Sequence, residues 1–271
     1  MTLENFILQH EASIRLSCFA AVFVAMLLWE LLAPRRRLSQ PRTQRWSGNI
    51  ALMILNSLLL RLAFPAAAVG VAYFVSQQGW GLFNLLDWPI WLEVLLAVLL
   101  LDLAIYFQHR LMHAIPVLWR LHRVHHADLD FDLTTAVRFH SIEILLSMVI
   151  KSLLILLLGP ALLAVLIFEI LLNGVSIFNH ANVSLPAGAE SLVRKLVVTP
   201  DMHRVHHSNL PQETNSNFGF NLSVWDRLLK TYVAQPRDGH DGMTIGLDDF
   251  RDSRQVSRLV GMLKIPFTGK S

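Results

Sequence analysis

Of 271 residues, 54% fall in the broad hydrophobic class and only 16% are charged, where a soluble domain carries about a quarter. That deficit excludes an ordinary soluble enzyme. One cysteine excludes an intramolecular disulfide and thiolate-held metal clusters, and the net charge of +3 follows from membrane topology without a nucleic-acid partner.

A spanning helix needs about 20 apolar residues. The first such run, Leu16 to Ala33, is broken only by Trp29 and Glu30 near its end and contains Cys18. The "PRRR" that follows reads as a stop-transfer flank, not as a signal-peptide cleavage site. Ile50 to Val75 forms a second run, carrying Asn56 and Arg61, and Ile90 to Tyr106 a third. Ile144 to Leu158 and Ala161 to Ile177 are shorter and meet at Gly159-Pro160, so they are expected to form a hairpin that dips deeply without fully crossing. The chain is therefore expected to be an all-α, polytopic membrane bundle of about four to five segments. A helical cap carrying a His-rich dimetal site is expected on its cytoplasmic side.

Charge sets the orientation. Arg35, Arg36, Arg37, Arg42 and Arg45 crowd the first connection, whereas Ser76 to Pro89 carries no Lys or Arg. By the positive-inside rule the Arg-rich connection and the C-terminal third face the cytoplasm. Trp80, Trp88 and Trp91 then mark the far interface, and Trp29 and Trp46 the near one.

Ten of the twelve histidines fall on that near side. Asp102, Tyr106, His109 and His113 share one face of the third segment as it emerges. After Pro116, His122, His125 and His126 share a face at i, i+3 and i+4. His140 precedes the hairpin, His180 ends it, and His203, His206 and His207 follow in the polar remainder. His10 and His240 lie in polar flanks and are expected to be solvated. Asp128, Asp130 and Asp132 alternate along an extended segment that reads as a solvated loop.

Imidazole suits zinc, copper, iron and nickel, and this many histidines suit two ions better than one. A metalloprotease needs H-E-x-x-H; here Arg110, Leu111 and Met112 separate His109 from His113, so the catalytic glutamate is missing. An all-nitrogen pair of metals suits iron and oxygen activation. The alternative from another class is a His-rich metal transporter or sensor without redox catalysis, which needs ligands along a path near the bilayer midplane.

"YFQHRLMH", "LWRLHRVHH", "RFHSIE" and "TPDMHRVHHS", with "TNSNFGFNLSVWDRLLKTY" after it, resemble the fatty acid hydroxylase/sterol desaturase superfamily of integral-membrane oxygenases. The resemblance covers residues 95–232, flanked by N-terminal spans at 14–92 and a cytoplasmic tail at 233–271, all in one membrane-embedded unit of 1–271. It implies two iron ions, O2 as co-substrate, a membrane lipid whose unactivated C–H is hydroxylated or desaturated, and an external reductant of the ferredoxin or cytochrome type. The metal site would then face the cytoplasm across a bacterial inner membrane. It also implies that His109, His113, His122, His125, His126, His203, His206 and His207 are ligands, with His180 a further one and His140 a weaker one. Ser141 stands where the family often has proline, and Ser176 where some members have another histidine. Asp102, Glu143, Asp201, Asn217 and Asn221 are candidates for orienting the ligand imidazoles. The C-terminal "RDSRQVSRLVGMLK" reads as an amphipathic helix lying on the membrane or on the cap.

Overall fold

Five stretches long and apolar enough to cross a membrane carry the architecture, in a computed structural model that describes residues 2–85, 87 and 89–268. Trp88 lies outside the described residues. The elements are α1 (Leu3–Leu32), α2 (Arg42–Ala63), α3 (Ala67–Gln78), α4 (Ile90–Ala114), α5 (Pro116–His126), α6 (Ser141–Leu158) and α7 (Leu162–His180). Short helices follow: α8 (Ala187–Val193), α9 (Pro200–His206), α10 (Pro211–Thr214), α11 (Val224–Leu228), α12 (Gly239–Gly242), α13 (Ser253–Ser257) and α14 (Leu259–Lys264). Among the described residues there are no β-strands, only the isolated bridges Val197–Leu222 and Ser208–Ile245. The protein is an all-helical, multi-pass membrane protein.

The second apolar run is not one helix. It breaks between Ala63 and Ala67 because Pro65 has no N–H to donate and forces Phe64 out of helical geometry (φ −132°, ψ 70°). Together α2 and α3 still make one kinked passage. Asn56 on α2 donates to the Phe139 carbonyl just before α6, and Ala68, Val69, Ala72 and Val75 on α3 pack on Ile155 and Val165 toward the other end.

The α6–α7 hairpin goes deeper than its length suggested. Its turn reaches the same end as the α3–α4 connection: Asn84 Nδ2 donates to the Gly159 carbonyl at 3.0 Å, and Ala161 N–H donates to Glu93 at 2.6 Å. Gly159 adopts a left-handed φ of +62°, and a Cβ there would lie 2.2 Å from the Trp80 carbonyl, so only glycine closes this turn. Helix α7, at about 1.5 Å per residue, then runs back to deliver His180 to the opposite end.

That opposite end is built from α5, α9 and the loops around them. Pro116 opens α5 at its first position, where a missing N–H costs nothing. Thr199 caps α9, accepting from Met202 N–H, and Pro200 fills the first turn. The C-terminal amphipathic stretch forms two helices, α13 and α14, instead of one. It packs on the protein: Val256 and Met262 bury against Leu52, Val124 and Phe250.

The aspartates after the second box are not solvated. Asp128, Asp130 and Asp132 are all buried, because partners remote in sequence reach them. Arg45 on α2 holds Asp128 at 2.7 and 2.8 Å and Asp132 at 2.5 Å. Trp46 and Asn49 add hydrogen bonds to Asp132 and Asp128, and the Ser39 and Gln40 N–H groups donate to Asp130. Burial pushes the Asp128 carboxyl up, but Arg45 and Arg138 beside it prevail and hold it well below the usual carboxylate range. The first connection is thus riveted to the 128–132 segment by buried charge.

Candidate metal centre

Nine histidines converge where α4, α5, α7 and α9 meet, and they sort into two groups. His109, His113, His122, His126 and His206 form one; His125, His180, His203 and His207 form the other. Within each group one nitrogen per ring lies within 4.8 Å of the others. The groups adjoin, since the His126 and His207 rings stack at 4.6 Å between centroids.

Helical geometry explains the sorting. Residues at i and i+4 lie on nearly one line of a helix, and the residue at i+3 is turned aside. On α5, His122 and His126 go to the first group and His125 to the second. On α9 the assignment is reversed: His203 and His207 serve the second group and His206 the first. Each H-x-x-H-H box therefore divides itself between both groups, and α4 and α7 complete them with His109, His113 and His180.

Five rings are anchored from behind. His109 Nδ1 meets the Phe218 carbonyl at 2.8 Å, His122 Nδ1 meets Glu143 at 2.7 Å, and His125 Nδ1 meets the Arg138 carbonyl at 3.3 Å. His180 Nδ1 meets the Ser176 carbonyl at 2.8 Å, and His206 Nδ1 the Ser216 carbonyl at 2.7 Å. These oxygens can only accept, so each Nδ1 carries the proton and each Nε2 of a neutral ring presents a lone pair inward.

Those lone pairs face one another. The Nε2 atoms of two anchored pairs, His125–His180 and His109–His122, are each 3.1 Å apart. Two anchored imidazoles cannot hydrogen-bond in this way. Two nitrogens bound at about 2.1 Å to one ion, at a right angle, stand about 3 Å apart. His126 and His207 have no hydrogen bond at either nitrogen, although both are buried. The residues fit metal ions.

Charge agrees with that fit. Burial, reinforced by neighbouring histidines, holds His125, His126, His203 and His207 well below the usual imidazole range. His206 is pushed down to about 3 by burial and by His122. All five are neutral at neutral pH, the state a metal ligand requires. Aromatic side chains wall the centre: Phe139 stacks on His125 at 4.4 Å, Phe131 lies 5.6 Å from His180, and Phe218 5.6 Å from His109.

His140 stands apart. It caps α6, accepting from the Ile142 N–H at 3.2 Å, and its Nε2 faces the Leu263 carbonyl. Of the five residues considered for orienting the clustered imidazoles, Glu143 is the one that hydrogen-bonds to one of them. Asp102 instead accepts from Trp225 Nε1 at 2.8 Å and from Leu222 N–H at 3.2 Å, tying α4 to the loop before α11. Asp201 pairs with Arg204 and Arg35. Asn217, at φ +50°, ties its turn to the Met202 and Val233 carbonyls, and Asn221 is buried, its backbone carbonyl accepting from Val198 N–H. His240 is buried, not solvated, because Asp201 and Arg204 enclose it, whereas His10 is exposed.

Most of the anchoring escaped the sequence. Four of the five anchors are backbone carbonyls, which no residue type announces. Asp226 is the buried residue that sets two of them: it accepts from the Phe218 and Gly219 N–H groups at 2.7 and 2.8 Å and from Thr231. This fixes the 216–219 turn whose carbonyls hold His206 and His109. Burial pushes the Asp226 carboxyl up to about 6.

The family model described as Fatty acid hydroxylase matches residues 94–231, a range containing all nine clustered histidines. An ornithine lipid hydroxylase of Rhizobium tropici is 29% identical over 233 residues, 81% of this chain and 67% of that protein. The alkylglycerol monooxygenase of Homo sapiens is 29% identical over 238 residues, 84% of this chain and 50% of its own length. The cholesterol 25-hydroxylase of Rattus norvegicus is 30% identical over 147 residues, 53% of this chain and 48% of that protein. This chain thus spans between half and two thirds of the first two of these relatives. No solved structure matches it.

Proposed function

This chain belongs to the fatty acid hydroxylase family, and from that premise we propose that it is an O2-dependent diiron oxygenase acting on a membrane lipid. The observation that carries the reading is the pair of adjoining imidazole groups, each containing two anchored rings whose Nε2 atoms oppose one another 3.1 Å apart. The five-histidine group would hold one iron ion and the four-histidine group the other. When bound, iron supplies O2 activation and removal of hydrogen from an unactivated C–H, giving an alcohol, or an alkene where a second hydrogen is lost.

The chain's own part is positional. The Nδ1 anchors keep five of the nine rings in one tautomer and one orientation. Depressed basicity keeps the ligands free of protons, and the phenylalanine wall excludes water from the reacting centre. Hydroxylation is the outcome favoured by the three relatives, whose names are those of hydroxylases and a monooxygenase. Residues 95–232 would form the catalytic unit, with the spans at 14–92 and the tail at 233–271 packed around it. The Arg-rich first connection supports a cytoplasmic site in a bacterial inner membrane, reached there by a ferredoxin- or cytochrome-type reductant. A metal transporter needs ligands along a path; here the nine gather at one end of the bundle.

The test pairs metal analysis of the purified protein with mass spectrometry of lipid extracts from cells with and without the gene. The expected result is bound iron together with a lipid that gains one oxygen, dependent on O2 and reductant. Metal uptake into vesicles with no altered lipid would overturn the reading.

A further inference from the structure

The four-histidine group draws on a helix that the family match does not include. Helix α1 (Leu3–Leu32) ends well before residue 94, where that match begins, yet its last turn carries the fully buried Glu30. A carboxylate is out of place there. The carbonyl end of a helix is negative and favours cations, and an ionisable group buried in a membrane span marks function by default.

One oxygen of Glu30 joins two segments remote in sequence. Its Oε1 accepts from the Asn182 N–H at 2.7 Å and from the Leu133 N–H at 2.8 Å, whereas its Oε2 is buried without a hydrogen bond. Both segments serve the four-histidine group. Asn182 lies two residues past His180, the last residue of α7, so no further helical turn holds the backbone of that ligand candidate. The corner is held instead from α1 and the connection after it. Arg35 N–H donates to the Asn182 carbonyl at 2.7 Å, and the Asn182 side chain exchanges hydrogen bonds with the Arg36 backbone at 2.8 and 3.1 Å.

Leu133 lies two residues past Phe131, whose ring is 5.6 Å from that of His180, 5.0 Å from His207 and 6.3 Å from His203. Apolar packing brings Glu30 to this place: Phe23, Met26 and Leu27 on the preceding turns of α1 pack on the cluster of Leu133, Ala136 and Ile177. The five-histidine group is braced elsewhere. Its anchors are Phe218, Ser216 and Glu143, none of which lies on α1.

We propose that Glu30 is a positioning residue for the four-histidine group. By fixing the Asn182 corner and the Leu133 segment to one oxygen, it holds His180 and Phe131 in place, and α1 thereby completes one of the two metal sites. The proposal rests on the two-iron reading above and extends the catalytic unit beyond residues 95–232.

The full-length protein, reconstituted anaerobically with ferrous ion, is titrated with a chelator as wild type, Glu30→Gln and Glu30→Met. Glutamine keeps an acceptor oxygen where Oε1 stands and breaks no hydrogen bond at Oε2; methionine fills the space without that oxygen. Wild type and Glu30→Gln are expected to hold both ions, whereas Glu30→Met loses affinity for one of them by about tenfold or more and keeps the other unchanged. Combining Glu30→Met with His206→Ala, which strikes the five-histidine group, is expected to leave no tightly held ion. Hydrogen exchange of the metal-free proteins gives a second readout: the Leu133 and Asn182 N–H groups are expected to exchange faster in Glu30→Met and not in Glu30→Gln.

A role confined to folding weakens both ions alike. Equal loss of both ions, no loss in Glu30→Met, the same loss in Glu30→Gln, or a tight ion surviving in the double variant would overturn the proposal. Should Glu30→Met fail to insert, Glu30→Ala carries the same test. A wild-type chain with fewer than two ions contradicts the two-iron reading beneath, whereas a two-ion wild type matched by Glu30→Met contradicts the role of Glu30 alone.

Discussion

Two buried polar clusters sit side by side at one end of this bundle, and they are finished to different degrees. Around Arg45, the guanidinium meets Asp128 and Asp132, and Asn49, Trp46 and Thr135 occupy the remaining directions. Eight of the nine histidines are equally buried, yet they turn lone pairs toward one another and leave both nitrogens of His126 and His207 unbonded. Arg138 joins the two: its guanidinium reaches Asn49 and the Val124 and Val256 carbonyls, and its own carbonyl holds His125. A cluster that completes its own bonds is scaffold. One that lacks only cations is a binding site, because uncompensated buried nitrogen lone pairs are costly until something positive arrives.

Mutation separates them most sharply. His206→Ala removes one imidazole from the five-histidine group, and product formation is expected to fall by about a hundredfold or more with the protein still inserted and folded; iron per chain and lipid product are measured together. Arg45→Met leaves two buried carboxylates without their partner, and breaking such a pair costs about 3–5 kcal/mol. Its signature is a lower unfolding temperature in detergent, seen with or without metal. An Arg45 variant of unchanged stability would erase the distinction between scaffold and site. Between these lies Glu143→Gln, which weakens the anchor on His122 and is expected to lower metal affinity by about 10- to 100-fold, read by competition with a chelator.

The clusters should also fail at different pH. For metal-free protein, His125, His126, His203, His206 and His207 are held neutral when folded but protonate near 6.5 when unfolded. Their contribution to stability is present above about pH 6.5 and is lost as pH falls from there toward about 3, where His206 itself titrates. Asp128 is shifted the other way, below its unfolded value of about 3.9, so its contribution is kept down to that pH and lost only below it. Thermal unfolding of chelator-treated protein against pH should show a loss beginning near 6.5 and a second below 4; bound metal should suppress the first. The smallest effect is expected at His140→Ala, which removes only a helix cap worth about 0.5–2 kcal/mol and should leave iron content unchanged. Lost iron in that variant would bring His140 into the ligand set.

The same contrast decides what the sequence could reveal. Histidine boxes are local: spacing of three and four residues puts the rings on one helix face, so eight of the nine clustered rings stand out as boxes and His180 follows from resemblance. Their division into two groups depends on how α5 and α9 face each other, which no spacing along either helix encodes. The aspartates after the second box read as a loop because Arg45 is 83 residues from Asp128. Asp226 escaped for a related reason, since it binds backbone N–H groups and no side-chain pattern marks them. The apolar runs gave the membrane segments, and Pro65 inside the second run was the visible sign of the break that the structure contains.

Iron quantification on purified protein, reconstituted anaerobically with ferrous ion and freed of loose metal, tests the central claim most directly. Two adjoining imidazole groups predict two iron ions per chain, with one ion lost more readily from His206→Ala. A wild-type chain that retains one ion or none would contradict the account.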